Sequence, residues 1–452
     1  MQIESFFDKG LAQLSYAIIS EGEIALIDPA RDTSPFTQLE SKYNAKIKAV
    51  IETHPHADFI SSHGEFSLQE VKVYASKLSE VNYEHTTFDD GDEIKIGAIK
   101  LKAINTPGHS PDSISVLLED ETENPYAIFT GDTLFIGDVG RPDLRESFKD
   151  NTTLKEKLAG KLYHSLHDKI LKLPDDIIIF PAHGPGSLCG KSMSDNLSDT
   201  LGNQRKENYA LQSMSESEFI KLILENQPFI PKYFQYDVLI NKLGAPKLSE
   251  SIDHVKYIEN IDEILTDALI VDTRSSDLFK TGHIQGAINI PNGGKFETWL
   301  GSIISPDETF YLIASDNGIL QEVLLKTAKI GYESKIAGAI VMQKPSGTQS
   351  EKIDAKDLVD GEDKYTIIDV REVNEVASGK YFSNAINIPL NKLRDNIHSI
   401  PSGKPIAVHC AGGYRSAIGS SMLERTQIDK VYDISESIKS LEALPKVNSQ
   451  KK

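Results

Sequence analysis

The sequence predicts a multidomain protein of mixed α/β and α+β class, and three observations carry that prediction. At 452 residues the chain is too long for one core, and a length of this order corresponds to about three domains. The amino-terminal half alternates apolar and polar residues in short runs, as half-buried strands do, and several of these runs end on histidine or aspartate. The carboxy-terminal half contains one pattern twice, each copy switching between apolar strands and helical segments, which argues for a parallel sheet in each.

Composition narrows the function classes. With 48 Lys+Arg against 67 Asp+Glu, the net charge is −19. That charge repels phosphate backbones and anionic bilayers, so neither nucleic acid nor a membrane is expected as a partner, and a small anionic substrate needs a local basic site. Met1-Gln2-Ile3-Glu4 opens without a basic or apolar leader pattern, and no run approaches the roughly 18 apolar residues of a membrane span. The expectation is a soluble, cytoplasmic protein. Cys189 and Cys410 are the only cysteines; two are too few for a disulfide framework, and each thiol stands as an individual candidate for chemistry.

Taken in order, runs 16–19 and 23–28 read as two strands across the turn Ser20-Glu21-Gly22, so an antiparallel sheet is expected at the start. Runs 93–97 and 99–104 alternate around a glycine and read as a hairpin. Residues 216–224 have helical periodicity, which Gln227-Pro228-Phe229-Ile230-Pro231 breaks. The first domain is expected to span 1–245, with 245–251 as a linker.

Within that domain the apolar run 47–51 leads into Thr53-His54-Pro55-His56-Ala57-Asp58-Phe59, which sets two imidazoles and a carboxylate at i, i+2 and i+4 of one loop. Imidazole and carboxylate together suit zinc or non-haem iron. Three more strands end alike, in Thr106-Pro107-Gly108-His109, in Phe129-Thr130-Gly131-Asp132 and in Phe180-Pro181-Ala182-His183. Loops at one edge of a sheet are where distant segments can converge on one ligand. His54, His56, Asp58, His109, Asp132 and His183 are therefore expected at one site.

These motifs resemble the metallo-β-lactamase superfold, an αββα sandwich, over about residues 2–231. Members with two metals usually carry a further histidine directly after the motif's aspartate, whereas this chain has Phe59, whose ring has no lone pair to donate. The remainder resembles the persulfide dioxygenases of that superfamily. The resemblance implies a single Fe(II) held by His54, His109 and Asp132, a facial triad with open positions. It leaves His56, Asp58 and His183 as surrounding residues that orient ligands or hold water, although direct ligation by His56, as in a zinc hydrolase, stays open. It extends to Gly131-Asp132-Thr133-Leu134-Phe135-Ile136-Gly137-Asp138-Val139-Gly140-Arg141 and offers Arg141 as the group that holds the carboxylate of a thiol carrier. Cys189, in a Gly-Pro-Gly-Ser-Leu-Cys loop, is either near the substrate entrance or buried and inert.

The internal repeat pairs Leu269-Ile270-Val271-Asp272-Thr273-Arg274 with Thr366-Ile367-Ile368-Asp369-Val370-Arg371, and Ala287-Ile288-Asn289-Ile290-Pro291 with Ala385-Ile386-Asn387-Ile388-Pro389. The spacing of 97 to 98 residues is that of duplicated domains, not of a solenoid. Both copies, expected over 252–345 and 350–445, resemble rhodanese domains. The second continues into Val408-His409-Cys410-Ala411-Gly412-Gly413-Tyr414-Arg415. A cysteine ending a buried strand before a glycine-rich turn and a helix sits in a cradle of backbone N–H groups that favours a thiolate or persulfide. The resemblance makes Cys410 the sulfur-transfer nucleophile, Gly412 and Gly413 part of its cradle, and Arg415 a contact for an anionic sulfur substrate; Asp369 and Arg371 brace the fold. The first copy has Ala314 or a neighbour where the nucleophile would stand and no cysteine at all, so it is expected to be a silent spacer or docking domain.

Together the resemblances imply an enzyme that oxidises a low-molecular-weight thiol persulfide, of glutathione or coenzyme A type, with O₂ to sulfite and thiol. Cys410 would couple this to thiosulfate, in a homo-oligomer. The competing expectation is a glyoxalase-II-like zinc thioester hydrolase fused to a sulfur-carrier module.

Overall fold

The computed structural model describes residues 1–145, 154–351, 353 and 355–434. Its contacts divide the chain into two compact units, Met1–Ser251 with Ala328–Gly331, and Ile252–Thr327 with Tyr332–Lys452.

The first unit opens with a six-stranded sheet of β1 (Gln2–Asp8), β2 (Gln13–Ser20), β3 (Glu23–Ile27), β4 (Lys46–Ile51), β5 (Lys72–Ala75) and β6 (Thr86–Thr87), paired in that order. The hairpin from β2 to β3 turns on Glu21 and Gly22, both at positive φ, the backbone that two-residue hairpin turns require. The sheet is antiparallel through β3 and parallel from β3 to β6. The change follows from the helix Ser34–Tyr43, which carries the chain back across the sheet before β4.

A second sheet contains β7 (Glu93–Ile96), β8 (Ile99–Asn105), β9 (Ile114–Glu119) and β10 (Pro125–Gly131). After a short ribbon of β11 (Leu134–Phe135) and β12 (Asp138–Val139), it gains β13 (Ile178–Pro181) and β14 (Asp199–Thr200), in the order β14-β13-β10-β9-β8-β7. Alternation along the strands sorts the layers. Leu14, Tyr16 and Ile18 of β2 pack with Leu101, Val116 and Phe129 between the sheets. Ala17 and Ile19, one residue out of phase, pack with Phe36 and Leu39 of the first helix, while Ile128 faces Leu162 and Leu166 on the opposite flank. The layers run helix, sheet, sheet, helix, as the αββα expectation requires.

Helix Glu216–Leu224 begins where its periodicity predicts, under a capping box of Ser215 and Glu218. The expected linker 245–251 is not all loop: a six-residue helix, Leu248–Asp253, starts within it and buries none of its residues.

The second unit holds two parallel four-stranded sheets of one topology. The first has β15 (Leu269–Asp272), β16 (Ile288–Asn289), β17 (Phe310–Ala314) and β18 (Ile336–Val341) in the order β16-β15-β17-β18; the second has β19 (Thr366–Asp369), β20 (Ile386–Asn387), β21 (Ile406–His409) and β22 (Val431–Asp433) in the order β20-β19-β21-β22. Asp272 pairs with Ile313 and Asp369 with His409, so the residues that follow, Ala314 and Cys410, hold equivalent places. The copies are tied by a bidentate ion pair of Arg394 with Glu308, at 2.6 and 2.7 Å, and by Arg425 donating to the Gly286 carbonyl at 2.6 Å. The expected range 350–445 runs beyond the described residues from 435. Among the described residues no helix is long and apolar enough to cross a membrane.

Candidate metal centre and thiol loop

Strands β4, β8, β10 and β13 deliver His54, His109, Asp132 and His183 from the loops at their ends, and all four side chains are buried. Ligand atoms of His54, His109 and Asp132 lie within 4.8 Å of one another. Asp132 Oδ2 is 3.4 Å from His109 Nε2 and 3.9 Å from His54 Nε2. The other oxygen, Oδ1, is 2.7 Å from His183 Nδ1, and His183 Nε2 is 2.7 Å from Asp58 Oδ2. His183 thus bridges two carboxylates and fixes the plane of Asp132, leaving Oδ2 turned toward the two imidazoles.

Protonation follows from these neighbours. Burial, reinforced by the adjacent His56, keeps His54 well below the ordinary histidine value, and burial pushes His109 down to about 4. Burial alone would raise Asp132, but the charges of His183 and His109 outweigh it and hold the carboxylate well below its usual range. Burial works against a charged His183 as well, yet Asp132 and Asp58 lift it well above its ordinary value. The result is two neutral imidazoles beside one ionised carboxylate, the protonation states metal ligands need. Buried Asp132 Oδ2 has no hydrogen-bond partner among the described residues. A group that costs free energy when left unpaired fits a cation held among these three side chains.

Local supports make the arrangement possible. Thr53 donates its hydroxyl to Asp28 Oδ2 at 2.7 Å and its amide to Asp28 Oδ1 at 2.7 Å. Its Oγ1 also lies 3.0 Å from His54 Nδ1. With the hydroxyl proton committed to Asp28, His54 Nδ1–H is the donor of that contact, and Nε2 keeps its lone pair. Gly140 is obligatory: a Cβ there would come 1.8 Å from the Asp132 carbonyl oxygen. Asn241, from the helix Phe234–Leu243, donates to the carbonyls of His56 and Phe59 at 2.9 and 2.7 Å and so holds the histidine loop from outside. Arg145 donates to the Pro55 carbonyl and to Ser110 Oγ, joining the two histidine loops. Sequence reading missed Thr53, Gly140, Asn241 and Arg145. For Thr53 and Gly140 the signal was present in their place beside a ligand motif.

The remaining candidates sort differently. His56 Nε2 lies 3.1 Å from Asp28 and 3.6 Å from Glu52, with its ring 4.3 Å from that of Phe59; it belongs to a buried acidic cluster behind the triad. Cys189 is buried, with its ligand atom within 4.8 Å of those of Asp58 and His183. Burial and the nearby carboxylates of Asp58 and Asp132 push its thiol far up, which favours the protonated, unreactive form. Arg141 is buried and bound through Nε and Nη2 to both oxygens of Asp143, with Nη1 donating to the Leu188 carbonyl. Those bonds brace the loop, and the guanidinium is not turned over to a ligand.

In the second unit Cys410 directly follows β21 and is buried. The Gly413 amide donates to Cys410 Sγ at 3.1 Å, and Sγ lies 3.7 Å from Ser416 Oγ. Gly413 sits at φ +99°, a backbone that favours glycine and that turns its N–H back to the sulfur. Arg415 forms a bidentate pair with Glu375 at 2.5 and 2.7 Å, so contact with an anionic substrate would compete with a carboxylate already in place. Asp272–Arg274 and Asp369–Arg371 form matching buried ion pairs.

Comparison with known proteins agrees with both halves. The metallo-beta-lactamase superfamily model matches residues 8–183, and the rhodanese-like domain model matches 255–344 and 351–444. A curated relative, mitochondrial persulfide dioxygenase ETHE1 of Mus musculus, is 32% identical over 48% of this chain and 77% of its own length. The chain is a member of the persulfide dioxygenase–rhodanese fusions of the metallo-beta-lactamase superfamily. The Homo sapiens ETHE1 protein is 34% identical, over 36% of this chain and 59% of that protein, so the match to it spans less than two thirds of its length. A hydroxyacylglutathione hydrolase of Dictyostelium discoideum is 30% identical over 37% of this chain and 61% of its own. Among solved structures, a metallo-beta-lactamase from Staphylococcus aureus subsp. aureus COL superposes with a TM-score of 0.69 at 34% identity, covering 75% of this fusion and 99% of that chain.

Proposed function

We propose that this protein is an iron-dependent persulfide dioxygenase coupled to a sulfurtransferase, with His54, His109 and Asp132 as the metal ligands and Cys410 as the sulfur-carrying nucleophile. The observation that carries the reading is the convergence of buried His54, His109 and Asp132, with ligand atoms within 4.8 Å of one another and Asp132 Oδ2 left unpartnered, and Phe59 follows Asp58 directly, where the two-metal members that the motif resembles carry a further histidine. Fe(II), when bound there, would supply the redox chemistry that joins both atoms of O₂ to the outer sulfur of a thiol persulfide, one water being consumed as the S–S bond breaks to give sulfite and thiol. The chain's own residues set the conditions. Thr53 fixes the His54 tautomer, His183, lying between the carboxylates of Asp132 and Asp58, holds Asp132 in plane, and the metal-ligand side chains are buried.

At the second site the outer sulfur of a donor such as thiosulfate is attacked by Cys410 Sγ. A Cys–S–S bond forms as the donor's S–S bond breaks, and sulfite leaves with the bonding pair. The Gly413 amide and the amino end of the helix Tyr414–Glu424 favour the negative charge that alternates there between thiolate and persulfide. The same step reversed would join sulfite to sulfur on Cys410. In this reading the domains span 1–245, 252–345 and 350–445, the middle one without a nucleophile, and the reactions use the reduced thiols of the cytoplasm.

The test is anaerobic loading with Fe(II), then O₂ uptake with glutathione persulfide or coenzyme A persulfide. Absence of uptake by fully loaded protein would end the dioxygenase reading. Likeness to the hydroxyacylglutathione hydrolase favours one competitor, a zinc thioester hydrolase, and stoichiometric zinc with thioester cleavage would establish it.

A further inference from the structure

Among the described residues, three groups of side chains bring ligand atoms within 4.8 Å of one another: the triad, Asp58 with His183 and Cys189, and Asp28 with Glu52 and His56. In the second group His183 already lies between Asp132 and Asp58 and supports the triad. The third serves no role yet described. Asp28 follows β3, Glu52 follows β4 and His56 lies in the histidine loop, and their exposures are 1%, 4% and 0%. Two carboxylates therefore meet one imidazole away from water, where charges persist only when paired or bound to a metal.

His56 Nε2 lies 3.1 Å from Asp28 Oδ1 and 3.6 Å from Glu52 Oε2. It is in hydrogen-bond geometry with neither, and Nδ1 has no partner either. A proton on Nε2 would leave two buried N–H groups with nothing to receive them, a costly arrangement. A nitrogen aimed between two carboxylates, and at neither, has instead the geometry of a ligand lone pair. Donors about 2.0–2.2 Å from a four-coordinate zinc lie about 3.3–3.6 Å from one another, close to the separations here.

The carboxylates are held for that purpose. Asp28 Oδ2 accepts the Thr53 hydroxyl at 2.7 Å, and Glu52 Oε1 accepts the Ser61 hydroxyl at 2.6 Å. Those bonds fix both carboxylate planes and leave Oδ1 and Oε2 toward His56.

We propose that Asp28, Glu52 and His56 form a second, buried cation site that takes one Zn(II), separate from the triad and from the position that Phe59 fills. Two carboxylates with a neutral imidazole carry a charge that one divalent ion cancels. The imidazole argues against magnesium and calcium, which take oxygen ligands, and zinc stands above Fe(II) in affinity at such a donor set. A cavity of about 10 Å³ bordered by Glu52 and His63 has room for one water as the fourth ligand. His63, whose Nδ1 is 3.7 Å from Glu52 Oε1 and whose ring nitrogens have no partner, would hold that water.

The ion would tie the ends of β3 and β4 to the histidine loop. Because Asp28 also takes the Thr53 proton that sets the His54 tautomer, the second site would keep the first in register.

In the test, full-length protein is freed of metal by chelation, loaded anaerobically with one equivalent of Fe(II) and titrated with Zn(II) against a chromophoric chelator. One zinc per chain is expected beside the retained iron, counted by elemental mass spectrometry. Its X-ray absorption is expected to show a first shell of nitrogen and oxygen only. Glu52→Gln, which keeps the shape and the oxygen that Ser61 bonds, is expected to weaken zinc at least tenfold while iron stays bound. Zinc that merely displaces iron, zinc that Glu52→Gln binds unchanged, or sulfur in the zinc shell, which would put the ion at Cys189, overturns the proposal. Stoichiometry and shell are read on the unaltered protein, so they decide even where the variant does not fold. If the triad holds no iron, that reading fails separately, and zinc binding to His109→Ala protein still decides the second site. One zinc that the added Glu52→Gln removes supports it, and none overturns it.

Discussion

Thr53 and His54 are joined side chain to side chain, Oγ1 to Nδ1 at 3.0 Å, and that contact decides which nitrogen of His54 keeps its lone pair. Thr53 makes it only because Asp28 takes its proton. Thr53→Val preserves shape and removes both bonds. Metal affinity is expected to fall about 10–100-fold, read by competition with a chelator, and stability to fall by about 1–3 kcal/mol, read by denaturant unfolding.

Gly140 tests the same centre from the backbone. Its missing Cβ leaves room for the Asp132 carbonyl, which a methyl would approach to 1.8 Å. Gly140→Ala must shift Asp132 or its own loop, at a cost of about 1–3 kcal/mol. The expected outcome is a lower Tm together with metal content well below that of the unaltered protein after identical loading.

Cys410 and Ala314 occupy equivalent places, but their loops differ. Cys410 has the Gly413 amide on its sulfur, whereas beyond Ala314 the carboxylate of Asp316 caps the next helix by accepting from the Ile319 amide. A thiolate beside that carboxylate is disfavoured. Ala314→Cys in a Cys410→Ser background is expected to stay unlabelled after thiosulfate treatment. Cys410→Ser alone is expected to abolish sulfur transfer and retain O₂ uptake. Intact-mass measurement and an oxygen electrode check the two halves, and a sulfur adduct on residue 314 would show that the loop does not matter.

Glu424 predicts a pH effect. Burial raises its carboxyl to about 7, with Asp433 adding to the rise and Ser350 and Lys280 opposing it; His283 faces it at 3.6 Å. Because the folded value exceeds the unfolded one of about 4.5, the folded state holds the extra proton. Its contribution is fully present below about pH 4.5, declines as pH rises, and is lost above about 7. Glu424→Gln keeps the neutral form at every pH. It is expected to stabilise by about 1–3 kcal/mol at pH 8 and by nearly nothing at pH 4, measured as the difference in unfolding free energy between variant and parent.

Much of the fold was legible in the chain. The apolar runs either side of the turn at Glu21 and Gly22, the period-two alternation around Gly97, the helical periodicity of 216–224 and the repeat of Asp-x-Arg strands are local patterns, set by covalent neighbours and by the side-chain period of strand or helix. The same local logic placed His54, His109, Asp132 and His183 at strand ends, since a loop beginning where a buried strand stops must present its first polar residues at the sheet edge. Packing settled what each group is free to do. Arg141 and Arg415 looked alike as anion binders, yet Asp143 takes one and Glu375 the other. His56, two residues from His54, turns to Asp28 and Glu52, and Asn241 reaches the histidine loop from more than 180 residues away. A cleft shared by Asn292 and Gly412 arises only when two separate sheets meet. Residue type and spacing define what a side chain can donate or accept; whether that capacity is still available depends on partners that distant segments bring, and only the folded chain brings them.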